Sequence, residues 1–255
     1  MKKGLVVVGI LSFLLAGCST TGSSAKETDP EVQEISVSLP AELTTLDTTQ
    51  TTDKVTFTVI QHLFEGLYRF DEKSQPVPGL AEEAVISEDG KTYTFKLKEE
   101  AKWSDGQQVQ AADFAYAWKK LVDPKTMGPN AYLLDNVVNS QDIREGKADI
   151  ATIGLETPDE KTFVVHLEQP QPSFLSVVSI GWLAPQRQSY VEEKGTAYGK
   201  TSEDLLYTGP FILKDWQQTG AEWTLAKNPE YYDQAVVKLD KIKGSTIKEE
   251  NTGIQ

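Results

Sequence analysis

Cysteine is almost absent: Cys18 stands alone among 255 residues. No intrachain disulfide can form, so the fold must rest on burial and hydrogen bonding. Histidine is scarce as well, with only His62 and His166. A transition-metal site would need more ligands converging in space, so no metal is expected, and both histidines read as structural or exposed. Positive charge is in deficit, 25 Lys and Arg against 38 Asp and Glu, for a net charge of −13. That balance excludes the basic face on which phosphate binding depends, so no nucleic acid is expected. It also excludes electrostatic adhesion to anionic lipid, and the acidity reads as solubility. There is no Gly-x-Ser-x-Gly and no cysteine in the body of the chain to act as a nucleophile. Residues 195–201, Gly-Thr-Ala-Tyr-Gly-Lys-Thr, approach a phosphate-binding loop. They have three residues between the glycines where four are needed, and no apolar strand precedes them. No cofactor is expected. No internal repeat is visible.

One apolar run exists, at the start. Lys2 and Lys3 precede thirteen residues, Gly4 to Ala16, broken only by Gly9 and Ser12. A spanning helix needs about 20 residues, so this run fits a secretory signal instead. Its end, Leu15-Ala16-Gly17-Cys18, resembles the lipobox of bacterial lipoproteins, in which the cysteine is lipidated and cleavage falls before it. The only cysteine occupies the one position where lipid would be attached. Residues 1–17 are therefore read as a lipoprotein signal peptide. Residues 18–33, whose first part is rich in Ser, Thr and Gly, are read as a flexible tether. Loss of Lys2 and Lys3 takes the charge from −13 to −15.

The body of the chain is organised around residues 92–124. Tyr93, Phe95 and Leu97 alternate with polar residues, which predicts a half-buried strand. Ser104-Asp105-Gly106 is turn chemistry. Phe114, Ala117, Trp118 and Leu121 follow at i, i+3, i+4 and i+7, which predicts a helix, and Asp123-Pro124 ends it. Gln110, at the helix start, is a poor cap, although Asp113 places a negative charge in the first turn. Elsewhere Ile35, Val37 and Leu39 predict a first strand. Ile60, Leu63, Phe64 and Leu67 predict a helix. Residues 209–216 and 223–229 predict a hairpin through Gly220. Of the five tryptophans, Trp118 and Trp223 sit in amphipathic patterns and are assigned to the core.

Several strings go further than periodicity. Ala101-Lys102-Trp103-Ser104-Asp105-Gly106, then Ala112-Asp113-Phe114-Ala115-Tyr116-Ala117-Trp118, closely resemble the extracytoplasmic solute-binding proteins of peptide ABC importers, in particular the oligopeptide-binding branch. Leu63-Phe64-Glu65-Gly66-Leu67-Tyr68, Pro76-Val77-Pro78-Gly79-Leu80-Ala81-Glu82 and Gly209-Pro210-Phe211 add to the resemblance, in the right order, from about Ile35 to the last residue. Thr48 departs from the Leu-Asp-Pro common in the family. The resemblance implies an α/β fold of the periplasmic-binding-protein-like type II (cluster C) class, with mixed sheets in two subdomains. Residues 34–64 and 188–255 would form the first part of ligand-binding lobe I, and residues 65–187 an inserted subdomain. It places residues 195–201 on the surface. Family members are roughly twice as long, so the chain is expected to be an N-terminal portion that lacks the second lobe and the group that pairs with a peptide's α-amine.

The function implied is capture of oligopeptides, held extended, for delivery to an ABC permease in the membrane, by a monomer anchored through lipid and not by an enzyme. A signalling-peptide (pheromone) receptor, a dipeptide-, nickel- or haem-binding relative, and a non-binding fragment are the alternatives. The peptide's backbone would pair with the protein by β-augmentation. The resemblance maps that contact onto Thr51, Thr52, Asp53 and Lys54, and a second contact onto Asn130, where relatives often carry Tyr. For the anchor, labelled fatty acid is expected to be incorporated at Cys18, and Cys18→Ala to yield unlabelled protein that is released or left uncleaved. Equal labelling of Cys18→Ala would sink the lipobox reading.

Overall fold

A computed structural model describes residues 32–247, so Cys18, the signal segment and most of the tether lie outside the described residues. Ten strands and five α-helices are described. In the first part come β1 (Glu34–Leu39), α1 (Lys54–Leu63), β2 (Tyr68–Phe70), β3 (Pro76–Pro78), β4 (Val85–Ile86) and β5 (Thr92–Lys96). Next are α2 (Ala111–Val122), α3 (Ser140–Arg144), β6 (Leu155–Glu156), β7 (Thr162–His166) and α4 (Phe174–Val178). The last are α5 (Gln188–Lys194), β8 (Phe211–Lys214), β9 (Glu222–Lys227) and β10 (Lys241–Thr246). The fold is α/β. No helix among the described residues is long and apolar enough to cross a membrane.

Two four-stranded sheets carry it. One has the order β1-β10-β9-β8 and is mixed, because β1 runs parallel to β10 while the other pairs are antiparallel. The other has the order β4-β5-β7-β6 and is antiparallel throughout. The alternation in β5 is realised as expected, with Tyr93 and Phe95 buried and Thr94 and Lys96 facing outward. Phe95 sits opposite Phe163 on β7, and Tyr93 opposite Val165. α2 lays Phe114, Trp118 and Leu121 on this sheet. The Trp118 ring meets Phe163 edge-on at 5.1 Å, and its indole N–H donates to the Leu183 carbonyl at 3.0 Å. α2 starts as the charge in its first turn requires: Asp113 accepts from the Gln110 backbone N–H at 3.0 Å and from the Trp103 indole at 3.0 Å.

The buried apolar side chains form two clusters. One runs in sequence from Leu67 to Leu183 and also takes in Leu206. The other collects residues from Leu43 to Phe64 and from Ala184 to Ile242.

Three expectations need correction. The helix predicted around residues 60–67 begins earlier and ends at Leu63. Asp53 caps its N-terminus, Phe64 is already extended at φ −128°, and Gly66 just beyond disfavours continuation. Leu67 is buried, but in the cluster that follows. β1 alternates as predicted, yet Ile35 is 43% exposed, because the strand lies at the sheet edge. Residues 195–201 are not simply surface: Tyr198 is 8% exposed and Gly199 is buried. A Cβ at Gly199 would come within 2.5 Å of the Asp47 nitrogen, and φ there is +79°, so glycine is required on both counts.

Trp118→Ala is expected to lower stability by about 3–5 kcal/mol, as measured by denaturant unfolding, since it removes a fully buried aromatic from the centre of the first cluster. A loss below about 1 kcal/mol would mean the helix–sheet contact is not what holds that cluster.

Candidate functional site

The segment between β1 and α1 has no regular structure, but side chains tie it down. Asp47 is 8% exposed and acts as the knot. Its Oδ1 accepts from the Thr49 N–H at 3.0 Å and the Thr49 hydroxyl at 2.7 Å, a side-chain turn of the kind Asp favours. Its carbonyl accepts from the Gln50 N–H at 2.9 Å, the Thr51 N–H at 3.1 Å and the Thr51 hydroxyl at 3.0 Å. The Leu46 N–H donates to the Gly199 carbonyl at 2.9 Å, which is the close approach that makes Gly199 necessary.

Two distant residues complete the knot. Lys120, on α2, donates to Asp47 Oδ2 at 2.8 Å and to Gln186 Oε1 at 3.0 Å, with the Tyr198 ring centroid 5.0 Å away. The Gln186 amide donates to Asp47 Oδ1 at 2.9 Å and to the Thr48 hydroxyl at 2.8 Å. Asp47 and Lys120 are both poorly hydrated, so each is needed to offset the burial of the other.

The five residues predicted to touch a peptide divide in two. Thr51 is fully buried, and Asn130, 6% exposed, donates its amide to the Thr51 carbonyl at 2.8 Å. These two candidates, 79 residues apart, are thus in direct contact. Thr52 and Lys54 are exposed. Asp53 caps α1, accepting from the Thr56 N–H at 2.7 Å and the Thr44 hydroxyl at 2.8 Å, with extended backbone at φ −89° and ψ 147°. Among the described residues, neither the N–H nor the carbonyl of Thr52 has a hydrogen-bond partner, although its neighbours on both sides are bonded. Gln50 braces the same stretch from outside, donating to the Thr126 carbonyl at 3.0 Å.

Lys120, Gln186 and Gly199 were not singled out from the sequence as parts of this site. Lys120 lies on the flank of an amphipathic helix, where lysine ordinarily meets water. The one usable signal was Asp47, in the Leu-Asp-x string. His62 Nδ1 lies 2.8 Å from the Thr58 carbonyl, and His166 lies between Thr92 and Glu156. Among the described residues no group of three His, Cys, Asp or Glu could hold a metal.

With this geometry in view, known proteins give a consistent comparison. A family model described as bacterial extracellular solute-binding proteins, family 5 middle, matches residues 75–255. The chain belongs to that family. It is 36% identical over 252 residues to the dipeptide-binding protein of Lactococcus lactis, covering 98% of this chain and 44% of that one. It is 30% identical to the oligopeptide-binding protein OppA of Bacillus subtilis, covering 48% of it. The structure of Listeria monocytogenes OppA bound to peptide superposes with a TM-score of 0.86 at 36% identity, covering 88% of this chain and 44% of that one. The pheromone receptor PrgZ superposes with 0.85 at 37%, covering 88% and 45%. The chain therefore spans less than half the length of the relatives it matches.

In this family-5 chain, Glu65, from one of the strings that carried the resemblance, is buried at the passage from one apolar cluster to the other. Both neighbouring tyrosine hydroxyls donate to it: Tyr231, and Tyr232 at 2.6 Å. Arg69 Nε lies 3.7 Å away. It borders a cleft of about 540 Å³ walled by Phe64, Phe70, Phe211 and Val237. Burial pushes the Glu65 carboxyl above its ordinary value of 4.5, against the pull of the two tyrosines. A carboxyl whose folded value is raised binds its proton more readily folded than unfolded. Its effect on stability is therefore a loss as pH rises through the folded value, and a gain as pH falls from there toward 4.5. Glu65→Gln is expected to flatten that slope in denaturant midpoints measured between pH 4.5 and neutrality. An unchanged slope would place the titration elsewhere.

Proposed function

We propose that the protein to which these residues belong captures oligopeptides in extended form outside the cytoplasmic membrane and hands them to an ABC permease. It would work as a monomer held by lipid on Cys18, as a transport component and not as a catalyst. Support for peptide as the ligand comes from the family and from the relatives' own ligands. Support for the mode of capture comes from Thr52. Thr52 is exposed, and its amide and carbonyl, which have no hydrogen-bond partner among the described residues and are followed by extended backbone, offer what an added strand needs. The loop around them is tied by the Asp47 and Asn130 bonds, so little ordering remains to be done on binding.

On this reading Thr52, Asp53 and Lys54 meet the peptide, and Thr51 and Asn130 stand behind them. The same reading divides the chain into residues 34–64 with 188–255, and an inserted part, 65–187. The change of apolar cluster between Leu183 and Ala184 supports the division, with Leu206 as an exception. A second reading, a receptor for signalling peptides, is favoured by one observation: the likeness to the pheromone receptor PrgZ equals that to OppA.

Each backbone bond contributes about 0.5–1.5 kcal/mol net. A few such bonds correspond to binding in the millimolar range, about 4 kcal/mol. Tetraalanine added at millimolar concentration is expected to shift the Thr52 amide resonance of this chain, with the Asp53 amide following, and Thr52→Pro to abolish the response at Asp53. Addition of peptide that leaves Thr52 unmoved would overturn the reading. Repeating the titration with an apolar pheromone-like peptide separates the two ligand classes by which binds more tightly.

A further inference from the structure

We propose that Lys120 is a positioning residue for peptide binding, setting from α2 the place of the free Thr52 peptide edge; this rests on the peptide reading above. The path is short and each step is a bond. Lys120 Nζ holds Asp47 Oδ2 at 2.8 Å, and Gln186 holds Oδ1 at 2.9 Å. With the two bonds from Thr49, both carboxylate oxygens are occupied and the Asp47 side chain cannot rotate freely. The Asp47 carbonyl in turn fixes the Gln50 and Thr51 amides, and the next residue is Thr52. α2 itself is immobilised by Phe114, Trp118 and Leu121, all at or below 1% exposure. The lysine therefore transmits the position of a packed helix to an irregular loop.

A bond that served stability alone could join any two surfaces. This one is placed on a turn that leads directly to Thr52, an exposed residue whose N–H and carbonyl have no hydrogen-bond partner among the described residues while its neighbours on both sides are bonded. Lysine suits the task because its ammonium is a compact charge that can satisfy two oxygens from different segments at once, Asp47 and Gln186. Its side chain is 18% exposed and that of Asp47 is 11%, so solvent does not screen the pair fully.

The test compares Lys120→Met, Lys120→Arg and the double variant Asp47→Asn/Lys120→Met with the parent chain. The double variant is included because Lys120→Met leaves Asp47 buried and unpaired and can lower global stability. Two quantities are read: amide exchange at Gln50 and Thr51 relative to Phe95 and Val165, and the affinity for tetraalanine reported by the Thr52 resonance. Expected are exchange at Gln50 and Thr51 at least about tenfold faster, with Phe95 and Val165 unchanged. Affinity should fall about tenfold in both methionine-bearing variants. Lys120→Arg, which keeps the charge without the compact ammonium, should leave both readouts between those of Lys120→Met and the parent chain. Unchanged exchange in the double variant overturns the proposal, because the knot would then not hold the loop. Faster exchange with unaltered affinity also overturns it, because the knot would then be structural only. No Thr52 response in the parent chain defeats the peptide reading itself, and this proposal with it.

Discussion

A carboxylate taken out of water must have its lone pairs filled, and at Asp47 that demand is met from several places at once. Its own loop supplies Thr49, the α2 helix supplies Lys120, and the segment after the second crossing supplies Gln186. None of these groups is near another in sequence. An unmet partner would cost several kcal/mol in such a setting. The loop, the helix and the crossing segment therefore keep their relative places or the charge becomes intolerable. Gly199 belongs to the same constraint, since the carbonyl it supplies to Leu46 is reachable only without a side chain in the way.

Another buried carboxylate, Glu65, plays a comparable part where the chain passes from one apolar cluster to the other. Its tyrosine partners come from the end of the chain's described portion, and the Glu65 backbone N–H donates to the Thr208 hydroxyl at 3.0 Å. Gly209 lies so close to the Leu63 carbonyl carbon, 2.7 Å from where a Cβ would be, that the irregular segment ahead of β8 must pass there as bare backbone. Polar contacts of this kind do little for net stability compared with apolar burial. They exclude alternative arrangements, because any shift strands a buried charge.

Much of the fold was legible from local pattern. The period-two alternation of β5 and β7 and the helical stripe of α2 survive because each element buries one face against the same cluster, so the pattern is enforced twice. The end of α1 was misread because Phe64 and Leu67 continue a helical spacing while the backbone has already turned extended; both are buried, but against different partners. Spacing reports burial and cannot say by what. At the site, Thr51 to Lys54 and Asn130 were picked out by family resemblance, and no pattern in those residues alone would have found them. Lys120 and Gln186 were illegible for a physical reason. A buried ion pair is defined by the meeting of distant segments, and a lysine on a helix flank has the same sequence signature whether it meets water or Asp47.

The parallel pairing of β1 with β10 sets an order of events. Glu34 lies beside Lys241, 207 residues later, while β4, β5 and β7 find their neighbours within a much shorter length of chain. Loop closure becomes costlier with length, and ribosomes deliver the N-terminus first. Of the described strands, the first to be made is consequently the last to be partnered. Until β10 has been made, Ile35, Val37 and Leu39 wait as an open β edge, the kind of surface that recruits other chains. Whatever guards a nascent chain of this design has to guard its beginning.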